Sequence, residues 1–121
     1  MAEPTPEAFF AESPFGLRVF EAVSERLDGF GPREVRVTKT QVAFRHRVGF
    51  AWLWRPGQHL AHPGAEVVLS IALSREDGSP RWKEVAHPSP KHWMHHLEVH
   101  DLADLDDEVT AWLREAYDRA A

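Results

Sequence analysis

The stretch Lys91-His-Trp-Met-His-His-Leu-Glu-Val-His100 decides how this chain folds, and it holds four of the eight histidines. As a helix it would place His92, His95 and His96 on one face, as a metal site requires. As a strand it sends His95 inward and His96 outward. The inward set then also includes Trp93, Leu97 and Val99. This alternation favours a strand, and two preceding prolines leave too little length for an independent helix. The strand interpretation removes the three-histidine site, so we predict no metal.

Helices are predicted at both ends of the chain. Ser13-Pro14 has the form of an N-cap followed by a proline at the first helical position, and the apolar spacing predicts a helix over about 14–28. A shorter helical turn, capped by Thr5, precedes it. Near the carboxyl end, Asp104 is the predicted cap of a final helix, with Asp107 in capping-box position.

Strands are predicted between these helices. Val35 and Val37 occupy odd positions, whereas Val42 and Phe44 occupy even ones, so a bulge or a tight turn is needed near 39–41. Residues 44–54 are predicted to form a hairpin. Its returning strand is expected to carry Phe50, Trp52 and Trp54 on one face.

The remaining segments complete a sheet. Residues 66–73 are almost all apolar and predict a central strand covered on both faces, and 82–86 predict a further short strand. The predicted fold class is α+β: an antiparallel sheet of four to five strands flanked by N-terminal and C-terminal helices in a two-layer sandwich. We expect residues 1–121 to form a single domain.

Composition narrows the functional classes. The chain has no cysteine, no apolar run of the ~20 residues that a membrane helix needs, and an acidic start without the basic region of a signal peptide. We therefore expect a soluble, cytoplasmic protein. The net charge of −5 conceals a basic segment over 33–55 and an acidic one over 98–118. The basic segment could meet an anion.

Two polar clusters predict an anion-binding pocket. Arg81 offers a planar fork for carboxylate or phosphate, and Lys83 adds a point charge beside it. Lys39 lies at the register break between two strand segments, where side chains are often redirected toward a site. His95, beside Trp93, is the best candidate for a general acid or base. The predicted ligand-binding residues are Lys39, Thr40, Arg45, Ser79, Arg81, Lys83, Trp93 and His95.

Several segments, taken in order and spacing, resemble a bacterial family known as domain of unknown function 5655. They are Lys39-Thr-Gln-Val42, Phe50-Ala, Leu69-Ser-Ile-Ala-Leu73, Ser79-Pro-Arg81, Trp93-Met-His95 and Trp112-Leu-Arg-Glu-Ala-Tyr117. The resemblance extends from Phe10 to Tyr117 and implies no mechanism, because the family lacks an established activity. Its polar pattern positions are Lys39, Thr40, Ser79, Arg81, Lys83 and His95, which coincide with residues selected above on physical grounds.

Three functional hypotheses follow. The first is a non-enzymatic domain that uses no cofactor and binds a small anionic ligand or a protein partner through a basic and histidine-containing pocket. The second is an enzyme that uses His95 as a general acid or base, with or without a metal. The third is nucleic-acid binding through the basic hairpin and its tryptophans, although the overall acidity argues against it. A homodimer is compatible with each of them.

Overall fold

A computed structural model describes residues 4–121, which form an antiparallel sheet with helices packed against it. The helices are α1 (Pro6–Phe9), α2 (Pro14–Asp28) and α3 (Asp107–Arg119), and short 3-10 turns occur at Pro56–Gln58 and Leu102–Asp104. The strands are β1 (Glu34–Val37), β2 (Val42–Arg45), β3 (Gly49–Trp54), β4 (Val67–Leu73), β5 (Glu84–Ser89) and β6 (His92–Val99). Within residues 4–121, none of the helices combines the length and the apolar character needed to cross a membrane.

The six strands lie in the order β1-β2-β3-β4-β6-β5, and every neighbouring pair is antiparallel. The predicted α+β class is confirmed, with six strands in place of the four to five expected. The histidine stretch is a strand, as predicted, and it lies beside the central strand β4. The other predicted strand near 82–86 extends further, to Ser89, because β5 is an edge strand that tolerates Pro88.

Helices α2 and α3 cover one face of the sheet. Phe20 of α2 stacks on Phe44 of β2 at 5.6 Å between ring centroids, and Tyr117 of α3 meets Phe50 edge-on at 5.5 Å. The fully buried core residues around them include Val19, Val23, Leu27, Leu53, Leu69, Ile71 and Leu113. Burial of each such side chain stabilises the fold by about 1.5–3 kcal/mol. These contacts make the covered face the core of the protein.

The predicted caps Thr5 of α1 and Ser13 of α2 are confirmed, and the predicted cap of α3 is not. The Ser13 hydroxyl accepts a hydrogen bond from the Gly16 amide at 3.0 Å, which confirms the predicted start of α2. The prediction that Asp104 caps the final helix is wrong. Its carboxylate instead accepts from the amides of His100 and Asp101 in the preceding 3-10 turn, and Asp106 caps α3 through the Val109 amide.

The register break predicted near 39–41 is confirmed as a tight turn, which is one of the two alternatives expected from the sequence. Residues 38–41 form a tight turn, closed by the Thr38 amide donating to the Gln41 carbonyl at 2.9 Å. A separate bulge lies at Phe50 in the pairing of β2 with β3. There Phe44 pairs with Ala51 and Arg45 pairs with Gly49, so Phe50 is the extra residue. Phe50 therefore turns toward α3. The prediction that Phe50 shares a face with the two tryptophans of β3 is wrong, because the extra residue shifts the alternation.

Gly31 is expected to be sensitive to substitution because of its backbone conformation. Its φ is +140°, and a β-carbon there would lie 2.7 Å from the hydroxyl oxygen of Tyr117, which donates to the Pro32 carbonyl. We expect Gly31→Ala to lower the free energy of unfolding by about 1–3 kcal/mol in urea titrations. Gly78→Ala is the matched control, since no atom lies within 4 Å of its added β-carbon. Equal unfolding midpoints for the two variants would contradict this account.

Candidate binding cleft on the open face of the sheet

A row of cross-strand neighbours crosses the sheet face opposite α2 and α3, which we call the open face. The register pairs Ala43 with Trp52, Trp52 with Ser70, Ser70 with His96, and His96 with Glu84. Successive residues of a strand point to opposite faces. The chain therefore turns Ser70 and His96 to the open face while their neighbours Ile71 and His95 point into the core.

Three side chains on this face form a continuous hydrogen-bonded chain. The Trp54 indole N–H donates to the Ser70 hydroxyl at 2.8 Å, and that hydroxyl lies 2.7 Å from Nδ1 of His96. Because indole is only a donor, the arrangement that satisfies every group has Ser70 accept from Trp54 and donate to His96. In that arrangement, neutral His96 carries its proton on Nε2. Ser70 is only 3% exposed, so this chain forms the floor of the open face.

The environment of His96 favours its neutral form. Burial lowers the pKa of His96 and so does the neighbouring His95, whereas the charge of Glu84 acts in the opposite direction and is outweighed. The Trp54 ring meets the imidazole edge-on, with centroids 6.0 Å apart. At neutral pH, His96 therefore presents an Nε2–H donor, since Nδ1 is occupied by Ser70.

A cavity of about 440 Å³ lies over this floor, and we call it the aromatic cleft. It is lined by Thr40, Gln41, Trp52, Trp54, His59, Ser70, Met94 and His96. A second cavity of about 390 Å³ adjoins it and shares Trp54 and His96; its charged lining residues are Lys83, Glu84 and Glu98. The first volume lies within the range of small-molecule sites, which combine apolar walls with a few fixed polar groups.

The depressed pKa of His96 predicts how stability changes with pH. A histidine whose pKa is lower in the folded than in the unfolded chain contributes stability fully above the unfolded value of about 6.5. That contribution is lost as pH falls toward the folded pKa. His92, whose pKa is also lowered by burial and by Arg119, acts in the same direction. We expect the free energy of unfolding, measured in urea, to fall from pH 7.5 to pH 5.5.

Substitution of His96 measures its contribution to the pH dependence of the free energy of unfolding. His96→Gln should make the pH profile shallower and leave the contribution of His92 in place. A His96→Gln profile as steep as that of the parent chain would contradict the assignment.

The residues predicted to form one anion-binding pocket lie in different places. Thr40 lines the aromatic cleft and Lys83 lines the adjoining cavity, but Lys39 lies beside α1 in a separate depression with Thr5 and Gln58. Lys39 belongs to the β1–β2 turn at one edge of the sheet, while Lys83 precedes β5 at the other edge. Strands are spaced about 4.8 Å apart, so a six-stranded sheet separates its edges by roughly 20 Å. The structure does not bring Lys39 and Lys83 together.

Arg81 is engaged at the start of α3. Its Nη1 lies 3.0 Å from the Asp106 carboxylate and 2.9 Å from that of Glu108, and its Nη2 donates to the Asp104 carbonyl at 2.8 Å. The Ser79 hydroxyl accepts from the Arg81 amide within the same loop. The fork that was expected to bind an external anion therefore binds the acidic end of α3 and ties the loop to the helix.

His95 is fully buried, with 0% of its surface exposed. Its Nε2 accepts a hydrogen bond from the Asp77 amide at 2.9 Å, and its Nδ1–H donates to the Trp93 carbonyl at 3.2 Å. The Trp82 ring packs on it at 4.8 Å. With both nitrogens occupied and no exposed surface, His95 holds the loop before β5 onto the sheet. Trp93 stacks on His87 at 3.8 Å and lies outside both cavities.

Asp77 extends this network at the loop. Burial alone would raise the pKa of Asp77, but hydrogen bonds from the Trp82 indole, the Ser79 amide and Arg75 outweigh it and lower the pKa. Arg75 also binds Glu115 of α3 at 2.8 Å. The loop that contains Ser79 and Arg81 is thus fixed to α3 from two sides.

The positions of the charged side chains give little support to a metal-assisted enzyme or to nucleic-acid binding. Among residues 4–121, no three histidine, aspartate or glutamate side chains are grouped as a metal site. Three cations of the basic segment lie beside acids: Arg33 binds Asp28 at 2.9 Å, Arg36 binds Glu34 at 2.9 Å, and Arg45 lies 3.8 Å from Glu34. These pairs reduce the positive field that nucleic-acid binding would require.

The residues of the aromatic cleft were largely missed by sequence reasoning. His96 was expected on a solvated strand face, whereas the structure half-buries it against Ser70. One signal was available: Ser70 is the only polar residue in the apolar run 67–73, and a buried polar group needs a hydrogen-bond partner. Its partner lies 26 positions away, on a strand whose pairing the sequence does not specify.

These features define a class of α+β domain whose antiparallel sheet has helices on one face and an aromatic cleft on the other. The family model described as Domain of unknown function (DUF5655) matches residues 7–120, so the chain belongs to this family. The family resemblance of the sequence is thereby confirmed. Neither a curated protein nor a solved structure matches the chain.

Proposed function

We propose that this domain binds a small molecule with a planar ring in the aromatic cleft. The ring would pack against Trp52 and Trp54, and a hydrogen-bond acceptor on it would meet the Nε2–H of His96. The observation that carries this proposal is the hydrogen-bonded chain Trp54–Ser70–His96 on the cleft floor. Ser70 of the central strand β4 accepts from Trp54 and donates to His96. This fixes the tautomer and the orientation of neutral His96, as a recognition site requires.

The lining favours a ring over a flexible chain. Trp52 and Trp54 are half-buried, so each leaves part of an indole ring accessible to the cleft. Aromatic side chains gain from offset or edge contacts with another ring beyond the area that they bury. Met94 adds a polarisable side chain that adapts to an irregular ligand outline.

The charges of the lining favour a ligand whose core is neutral. Among the described residues, no lysine or arginine lines the aromatic cleft. Lys83 lines the adjoining cavity, where Glu84 and Glu98 oppose its charge. An anionic substituent would therefore gain little unless it reached Lys83 directly. We therefore propose a ligand with a neutral ring in place of the small anionic ligand expected from the sequence.

The row Ser70–His96–Glu84 contains the residue types of a hydrolase triad, but its geometry favours binding over catalysis. The Ser70 hydroxyl is buried and accepts the Trp54 indole N–H, which makes it a poor nucleophile. Among the described residues, Glu84 acts on His96 through its charge and is not a hydrogen-bond partner of the imidazole, whose Nδ1 faces Ser70. The third member of a triad must orient the histidine directly.

A melting-temperature screen with paired compounds tests this proposal. Each pair would share one ring system, such as a purine, pyrimidine, indole or substituted benzene, and differ by one carbonyl or ring-nitrogen acceptor. Binding to the native state raises the melting temperature. We expect the compounds that carry the acceptor to raise the melting temperature more than the matched compounds that lack it. The proposal fails if no ring compound binds at millimolar concentration, or if the acceptor makes no difference.

A further inference from the structure

The two edges of the sheet differ in how open they are to another strand. The β5 edge contains Pro88, which lacks an amide hydrogen, and its register with β6 shifts between Ala86 and Ser89. Both features obstruct regular pairing. At the other edge, β1 has no proline and pairs with β2 in an unbroken register. The β1 edge is therefore the one suited to accept a further strand.

The register fixes which backbone groups β1 offers. The Thr38 amide donates to the Gln41 carbonyl, so this pair is hydrogen-bonded across the turn. Hydrogen-bonded and non-hydrogen-bonded pairs alternate along antiparallel strands. Arg36 and Glu34 consequently direct their backbone groups toward β2. Val35 and Val37 direct theirs outward, where none of the strands described within residues 4–121 receives them.

We propose that two copies of the chain pair antiparallel through β1, around a two-fold axis at Val35, and so form a continuous twelve-stranded sheet. In this register the outward N–H and C=O of Val35 bond to those of Val35 in the second copy. Glu34 of each copy then lies opposite Arg36 of the other. The occupant of the edge is thus another copy of the same strand.

Charge complementarity selects this register. Glu34 and Arg36 are 58% and 59% exposed and already bind each other at 2.9 Å on the open face. Across the axis, each gains a second partner of opposite sign. A shift of the axis to Arg36 would instead place Arg36 opposite itself, which is unfavourable, and would align backbone groups that are already used by β2.

The apolar side chains of the edge fit the same arrangement. Val35 is 37% exposed, one of the few large apolar residues that remain so accessible. It pairs with Phe44, on which Phe20 of α2 stacks. The second copy would cover Val35 with an identical valine beside this half-buried ring. Because the strand has only four residues, we expect a dimer whose formation depends on protein concentration.

Sedimentation equilibrium over a range of protein concentrations, combined with charge reversal, tests this proposal. Glu34→Arg should raise the dimer dissociation constant at least tenfold, because it places two arginines opposite each other across the axis. Arg36→Glu should do the same. The double variant Glu34→Arg/Arg36→Glu restores opposite charges in the same register and should recover the parent dissociation constant.

Two further results are decisive. Val35→Pro removes an outward amide without touching the bonds to β2, so it should abolish the dimer while the far-ultraviolet circular dichroism is retained. The matched change on the other edge, His87→Pro, should leave the dimer intact. The proposal is overturned if the parent chain stays monomeric up to millimolar concentration, or if the double variant fails to recover the dimer while remaining folded.

Discussion

Replacement of His95 by leucine is expected to lower the free energy of unfolding by about 3 kcal/mol, as judged from the cost of buried polar groups that lose their partners. The substitution leaves the Asp77 amide without its acceptor and the Trp93 carbonyl without its donor. It also exchanges the ring that packs on Trp82 for a side chain of different shape. The loop before β5 should be the part most affected, because its Asp77 amide is bound to His95.

Urea unfolding followed by circular dichroism measures this loss. His62→Leu is the matched control, since His62 is an exposed histidine in the loop between β3 and β4, and it should change stability by no more than about 0.5 kcal/mol. A different outcome would contradict the structural role of His95. In that case the His95→Leu protein would be as stable as the parent but unable to bind a ligand that the parent binds, which would assign His95 a direct functional role.

The second large effect concerns the aromatic cleft. Trp54→Ala should weaken a cleft ligand by about ten- to a hundredfold, because it removes a ring contact worth about 1–3 kcal/mol. It also removes the indole N–H that fixes the Ser70 hydroxyl. The Ser70 hydroxyl would then be free to rotate, and His96 would lose its fixed tautomer. His96→Ala should weaken the same ligand by removing the donor itself.

Isothermal titration with a compound found in the melting-temperature screen measures these losses. Trp93→Ala is the matched control, because Trp93 stacks on His87 outside both cavities and should leave the affinity within twofold of the parent. If Trp93→Ala weakens the ligand as much as Trp54→Ala does, the site is not the aromatic cleft. Circular dichroism establishes that each variant is folded before its affinity is compared.

Local patterns were sufficient to predict the elements that depend on near neighbours. The alternation of Trp93, His95, Leu97 and Val99 predicted β6, and Ser13-Pro14 predicted the start of α2 to the residue. The bulge at Phe50 was not predictable in this way, because it is a property of the pairing between β2 and β3. Because of the bulge, Phe50 lies on the core face of the sheet against Tyr117, whereas Trp52 and Trp54 line the aromatic cleft.

The candidate site depended on contacts that span long stretches of sequence. Arg81 and Lys83 lie two positions apart, yet one binds the start of α3 and the other lines a cavity on the open face. Asp106 and Glu108, at the start of α3, occupy the Arg81 fork that was predicted to bind a ligand. The partner of a charged side chain is decided by strand order and helix packing, and the sequence alone did not specify either.

The central claim is that the open face binds a ring compound, and the indole N–H signals of a ¹⁵N-labelled protein test it most directly. Among the five tryptophans, Trp52 and Trp54 line the cleft, whereas Trp82 and Trp112 are buried on the other side of the sheet, 4.2 Å apart. Titration with a compound from the screen should shift the indole signals of Trp52 and Trp54 and leave those of Trp82 and Trp112 in place. Shifts confined to Trp82, Trp93 or Trp112 would contradict the account.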